Sequence, residues 1–298
     1  MSDFSWEDPY NFLGLGEEWA ALDRARVALL PVPYEATTSY MGGARHGPEA
    51  ILAASRHVEL YDHELDCEPY RAGIHTYATV DLTAGGPEAA LQQLRDTYSE
   101  AAERGQFVIV LGGEHTITQV PVLYWADRLD DDLSVLQFDA HADLRDSFHG
   151  TRWSHACVMR RVVERVKPVG VGVRAIDVVE RRLIGELGLS MVYGEELGRE
   201  GWVDRALGAL SSENVYISFD VDFFDPAFVP STGTPEPGGG TWEQAMSLLR
   251  RVFAEKNVVA ADVVELAPIP GLVAPDFLVA KLVYKMIGYW GGRGRSEE

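Results

Sequence analysis

The sequence predicts an α/β fold in one domain spanning residues 1–298, with a central, mostly parallel sheet covered by helices on both faces. Two observations carry this. Apolar runs of strand length alternate with longer helix-patterned segments, the arrangement that places crossover helices over a parallel sheet. Every residue cluster with metal or acid–base chemistry directly follows one of those runs, and open sheets of this kind bind ligands beyond the carboxyl ends of their strands. No fixed-period repeat, low-complexity stretch or Pro/Ser-rich linker divides the chain.

In chain order, residues 1–26 read as an N-terminal extension of the same domain, and Val27–Pro33 is the first strand-like run. Residues 35–80 read as irregular elaboration with short helices, covering the site or a subunit contact. Pro87–Arg104 is a helix, with proline in the first turn where its missing N–H costs nothing. The strand-like runs Phe107–Leu111, Ser134–Phe138 and Pro168–Val173 follow, then helical patterns over Asp177–Leu187 and Trp202–Leu210. Val215–Phe219 is the next strand. Thr241-Trp-Glu-Gln244 is a capping sequence that opens a helix running to Glu255. Val258–Val264 and the helix Pro275–Tyr289 complete the set.

Composition narrows the function. Of 298 residues 46% are apolar, enough for a substantial core. Asp+Glu 46 against Lys+Arg 26 leaves a formal charge of −20, which disfavours a nucleic acid partner and suits a cationic small molecule. Cys67 and Cys157 stand far apart, so neither a disulfide framework nor a thiolate zinc site is expected. No apolar run is long enough to span a bilayer, and the acidic start Met1–Asp8 lacks the basic and apolar regions of a secretory signal. The cytoplasm is the expected compartment, with no membrane partner.

Chemistry concentrates in three segments. Asp139-Ala-His-Ala-Asp143 follows the run ending at Phe138, and Asp220-Val-Asp222 follows the run ending at Phe219. Residues i and i+2 at a strand end point to one face, so Asp139, His141 and Asp143 can converge with Asp220 and Asp222. Carboxylates packed so closely raise one another's pKa unless a cation neutralises them. Solvated loop acids are the usual meaning of an Asp-rich stretch, but both clusters here cap apolar strands and one contains histidine. Gly112-Gly-Glu-His115 offers a tight strand-to-helix turn and a sixth donor, His115. Two imidazoles and four carboxylates exceed the needs of one ion, and without thiolate they favour Mn²⁺-type sites, Zn²⁺, Fe²⁺ and Co²⁺ remaining compatible with ligand type. A pair of such ions deprotonates water near neutral pH, which points to hydrolysis. His155, shortly after the first cluster, can donate or relay a proton, the alternative being an ordinary core or surface histidine. Glu265, ending the strand Val258–Val264, is placed to hold a cationic group or, equally, to form a structural ion pair. The Gly/Pro-rich loop 230–240 is placed to line a site rather than merely connect.

Gly112-Gly-Glu-His115, Asp139-Ala-His-Ala-Asp143, and Ser218-Phe-Asp-Val-Asp222 with Asp225-Pro226 resemble, in order, the three motifs of the ureohydrolase (arginase/agmatinase) family. The likeness extends from Pro31 to Glu265. The resemblance implies a three-layer αβα arginase-like fold around an eight-stranded sheet, two Mn²⁺ per subunit, and homo-oligomers, trimers or hexamers. By motif position it implies that His115 and Asp143 hold one ion, His141 and Asp222 the other, and that Asp139 and Asp220 bridge. It further gives His155 the place of a catalytic-loop histidine, Glu265 that of the acid binding the substrate guanidinium, and Asp143 a part in stabilising the tetrahedral intermediate. Leu144–His155 and Gly233-Thr-Pro-Glu-Pro-Gly238 look most like bacterial and archaeal agmatinases, which implies hydroxide attack on the guanidinium carbon of agmatine to give putrescine and urea. The alternatives are another guanidino ureohydrolase (guanidinobutyrase, aminopropylagmatine ureohydrolase, arginase), a formiminoglutamase, or a non-catalytic metal-binding paralogue.

Overall fold

In a computed structural model, which describes residues 10–292, the chain folds as three layers. The segment Met1–Asp8, read above as no secretory signal, lies outside the described residues. In order come α1 (Glu17–Ala20), β1 (Val27–Val32), α2 (Gly47–Ser55), β2 (Ile74–Thr76), α3 (Pro87–Ala102), β3 (Phe107–Gly112), α4 (Gln119–Arg128) and β4 (Ser134–Phe138). Then follow α5 (Val158–Val162), β5 (Pro168–Val173), α6 (Val178–Leu187), β6 (Ser190–Tyr193), α7 (Trp202–Ala209), β7 (Asn214–Asp220), α8 (Trp242–Glu255), β8 (Asn257–Val264) and α9 (Ala274–Gly291).

The strands form one sheet in the order β2-β1-β3-β8-β7-β4-β5-β6, and every pairing is parallel. The expected mostly parallel sheet is thus wholly parallel. Both faces are buried, which is why the strands read as unbroken apolar runs. In β3, Phe107, Ile109 and Leu111 pack on one side with residues of α2, α7, α8 and α9. Val108 and Val110 pack on the other side with α3 residues, and the rest of that face is covered from α4, α5 and α6. Helix starts follow local chemistry: the Thr241 hydroxyl accepts from Gln244 N, while the Gln244 side chain accepts from Thr241 N at 2.8 Å. Asp177 and Glu180 cap α6 in the same reciprocal way, which moves its first helical residue to Val178.

The order of the strands positions the site. β3, β8, β7 and β4 are neighbours at the centre of the sheet, and each of the segments carrying candidate chemistry leaves the carboxyl end of one of them. Three strands that are far apart in sequence therefore deliver their polar ends to one place, with the fourth between them. Among the described residues, no helix is long and apolar enough to cross a membrane.

Candidate metal centre

The turn after β3 is the tightest point of the site. Gly113 N donates to Val32 O at 2.9 Å, Glu114 N to Tyr34 O at 2.8 Å, and Glu265 N to Gly113 O at 2.8 Å. The exits of β1, β3 and β8 are so closely stitched that a Cβ on Gly113 would lie 2.0 Å from the Tyr34 carbonyl oxygen. Only glycine fits. His115 is consequently delivered to the middle of the sheet end with its side chain 1% exposed.

There the structure brings His115, Asp139, His141, Asp143, Asp220 and Asp222 together. His115 Nδ1 lies 3.2 Å from Asp139 Oδ2, 3.0 Å from Asp143 Oδ2 and 3.4 Å from Asp220 Oδ2. His141 Nδ1 lies 2.9 Å from Asp222 Oδ2 and 3.5 Å from Asp139 Oδ1. Two groups able to hold a cation result, His115–Asp139–Asp143 and Asp139–His141–Asp222, with Asp139 common to both. The carboxylates are aimed by backbone donors: His141 N to Asp139 Oδ1 at 2.6 Å, Ala140 N to Asp222 Oδ1 at 2.9 Å and Asp222 N to Asp220 Oδ1 at 2.9 Å. Gln137 Nε2 adds a donor to Asp139 Oδ2 at 2.8 Å.

A relay behind His115 fixes its tautomer. The Ser218 hydroxyl donates to Asp262 Oδ1 at 2.9 Å, and Tyr216 OH donates to Asp262 Oδ2 at 2.7 Å. With its proton committed, Ser218 Oγ must accept from His115 Nε2, 2.8 Å away. The other nitrogen, Nδ1, is buried and faces three carboxylates. Burial opposes charge there, yet Asp139 and Asp143 raise the His115 pKa well above its ordinary value, so the pocket selects positive charge at Nδ1, and a divalent cation can take that proton's place. The donor set therefore fits divalent metal ions, of the oxygen- and imidazole-preferring kind.

Electrostatics agree. Burial, then the charge of Asp139, pushes the Asp143 carboxyl up to about 7. Burial, then Asp222 and Asp139, holds Asp220 well above the ordinary range. Burial also opposes charge on Asp139, but hydrogen bonds from His115 and His141 outweigh it and lower its pKa. Two acids of the site are also held at left-handed backbone angles, Asp143 at φ 53° and Glu265 at φ 65°. Such angles cost non-glycine residues about 1–3 kcal/mol each and cluster at functional sites.

Glu265 is partly buried and its Oε1 accepts from His115 N at 2.6 Å. Burial, with the neighbouring charge of Glu114, raises its carboxyl to about 8. His155 stands on the same cavity wall. The Thr37 hydroxyl donates to Glu114 Oε1 at 2.7 Å, so its oxygen accepts from His155 Nδ1 at 3.1 Å, leaving Nε2 as the basic nitrogen, 2.6 Å from Ser39 Oγ. Burial, then the nearby imidazoles of His115 and His141, lowers the His155 pKa to about 4.

Sequence reasoning missed the groups that hold these side chains. Buried Glu114 accepts from Ala36 N at 2.6 Å and Thr37 N at 2.7 Å, while Glu35 accepts from Gly43 N at 2.7 Å. These two acids strap the loop 36–43 over the site, bringing Thr37 and Ser39 to His155. Only Glu114 carried a signal, its place inside the Gly-Gly-Glu-His turn. The cavity above the centre is about 350 Å³. The segment Leu144–His155 contributes Arg145, Phe148 and His155 to its wall, and the loop 230–240 contributes Gly233, Thr234 and Glu236. Cys157 is buried and takes no part in the candidate metal groups.

Residues 25–288 match the family model described as the Arginase family. An N(1)-aminopropylagmatine ureohydrolase of Synechocystis sp. is 40% identical over 280 residues, 92% of each chain. An agmatinase of Pyrococcus horikoshii is 35% identical over 273 residues, 87% of this chain and 90% of its own. The crystal structure of an agmatine ureohydrolase of Thermoplasma volcanium shares the fold, with a TM-score of 0.87 over 98% of both chains at 24% identity. The family model over residues 25–288 and the relatives at 40% and 35% identity show that this chain belongs to the arginase family of ureohydrolases.

Proposed function

We propose that this protein hydrolyses a guanidinoalkylamine, N1-aminopropylagmatine or its shorter analogue agmatine, to urea and the corresponding polyamine. The observation that carries the reading is the buried Nδ1 of His115 facing three carboxylates, beside the His141–Asp222 pair that shares Asp139. His115 and Asp143 would hold one Mn²⁺, His141 and Asp222 a second, with Asp139 and Asp220 between them. When bound, such a pair supplies Lewis acidity and lowers the pKa of water to near neutrality. The relatives support the longer substrate, since the Synechocystis sp. protein, at 40% identity, carries the aminopropylagmatine name. The agmatinase of Pyrococcus horikoshii, at 35%, supports agmatine itself.

The chain's own residues do the rest. Glu265, next to the centre, accepts hydrogen bonds from the flat guanidinium and holds its carbon toward the donor cluster. Water adds to that carbon, the bond to the alkyl-bearing nitrogen breaks, and the amine departs with a proton. His155 carries the proton: with its pKa near 4 it is neutral at pH 7, takes a proton at Nε2 and releases it readily. Thr38, Ser39 and Met41 of the strap, with Phe148, form part of the cavity wall around the substrate.

The test is urea release by the Mn²⁺-loaded protein across N1-aminopropylagmatine, agmatine, arginine, 4-guanidinobutyrate and formiminoglutamate, the last read as formamide. The two guanidinoalkylamines are expected to give the highest kcat/KM. Release confined to arginine or to formamide would contradict the proposal, and full metal content without turnover would assign the chain a binding role instead.

A further inference from the structure

One carboxylate in the cavity wall has no work in the structure. Of the acids lining the cavity, Asp143, Asp220 and Asp222 belong to the donor cluster, and Glu265 accepts from His115 N. Glu180 accepts from Leu144 N at 2.9 Å and Asp177 N at 2.9 Å, and lies 3.9 Å from Arg145 Nε. The half-buried Glu236 remains, with no hydrogen bond or ion pair to its carboxylate among the described residues, although its backbone is firmly held. Arg174 Nη2 donates to Glu236 O at 2.7 Å and to Asp222 O at 2.7 Å, and Arg174 Nη1 to Gly172 O at 3.0 Å. Asp225 Oδ2 accepts from Gly238 N at 2.8 Å and Gly239 N at 3.1 Å. A single guanidinium thus ties the Glu236 backbone to the backbone of a candidate metal ligand, fixing the distance between reaction centre and loop.

The cation of the wall is already matched. Arg145 Nη1 is paired with Asp177 Oδ2 at 2.7 Å and its guanidinium lies 5.2 Å over the Phe148 ring, so its charge is already matched within the protein. The outer cavity therefore carries one uncompensated carboxylate, on a rigid mount, in a wall that also holds the apolar side chains of Met41 and Ile176, which suit a methylene chain.

We propose that Glu236 is a specificity-determining residue that binds an ammonium group at the far end of the substrate; this rests on the guanidine-hydrolase reading above. Glu236 then separates amine-tailed guanidines from those ending in a methyl or a carboxylate by attraction and repulsion at one point.

Steady-state urea release by the Mn²⁺-loaded enzyme and its Glu236→Gln and Glu236→Asp variants tests this with agmatine, N1-aminopropylagmatine, n-butylguanidine and 4-guanidinobutyrate. In Glu236→Gln the ratio of kcat/KM for either amine to that for n-butylguanidine is expected to fall about tenfold, through KM, as expected for one charge-assisted contact. The same variant is expected to favour 4-guanidinobutyrate relative to n-butylguanidine, and Glu236→Asp to recover part of the amine preference. An unaltered ratio would overturn the assignment, as would a Glu236→Gln loss equal on all four compounds, the mark of a merely structural residue. Calorimetric binding of putrescine and spermidine decides the matter independently of turnover. If the wild type releases urea from no guanidine, the hydrolase reading fails, yet a tenfold weaker diamine Kd in Glu236→Gln still supports the ammonium site and an equal Kd refutes it.

Discussion

Asp139→Asn is expected to remove both metal and turnover, the largest effect of any single change in this protein. Asp139 is fully buried and belongs to both candidate metal groups, with one oxygen 3.2 Å from His115 Nδ1 and the other 3.5 Å from His141 Nδ1. His141 N and Gln137 Nε2 already donate to its two oxygens. An amide would place an NH₂ against one of these donors and would take one negative charge from the cluster. Changes to groups that merely orient a ligand cost about 10–100-fold in metal affinity or activity, so loss of a carboxylate shared by two ions must exceed that. Elemental analysis of the purified variant checks the first half of this expectation and urea release at saturating Mn²⁺ the second. Because the fold favours the charged form of Asp139 and an amide would face a donor there, the metal-free variant is expected to melt below the metal-free parent. A variant that retained two ions and full activity would remove Asp139 from its shared role.

Glu265→Gln is expected to act on substrate instead of metal. The carboxylate accepts from His115 N through Oε1, a bond that a glutamine carbonyl can keep, so the turn after β3 should survive the change. What would be lost is a carboxylate able to meet a guanidinium, whose own positive charge draws the Glu265 pKa back down from about 8 when it binds. Truncating one partner of a buried charge pair costs about 2–5 kcal/mol, which is about 30-fold or more in binding. Urea release should therefore show a raised KM, together with a lower kcat where the guanidinium is held less squarely. Metal content at saturation should stay at the parental value. If the metal content fell with KM unaltered, Glu265 would be a structural acid supporting His115 and nothing more.

The sheet's interior was legible in the sequence because a parallel strand buried on both faces is an unbroken apolar run. β1, β3, β4, β5, β7 and β8 are such runs. β2 and β6 lie at the two edges and are short, three and four residues, with half-exposed positions, so neither announced itself. α2 was hidden in the segment read as irregular, where its start depends on contacts with Leu266 and the end of β3. The two-residue spacing of Asp139, His141 and Asp143, and of Asp220 and Asp222, was enough to foresee that they meet. Their supports were not foreseeable. Ser218 reaches His115 from 103 positions away and Thr37 reaches His155 from 118, distances across which sequence has no period to read. Glu236 was passed over for a related reason: an uncommitted carboxylate is recognisable only once the partners of every other acid are known.

Two divalent ions held by these six side chains are what would make the protein a guanidine hydrolase. The most direct measurement titrates Mn²⁺ into metal-stripped protein, counts bound ions per chain and follows urea release from agmatine and N1-aminopropylagmatine on the same samples. Two ions per chain are predicted, with activity absent in the stripped protein and reaching its plateau as the second site fills. Saturation at a single ion, or two bound ions with no urea from either amine, would contradict it.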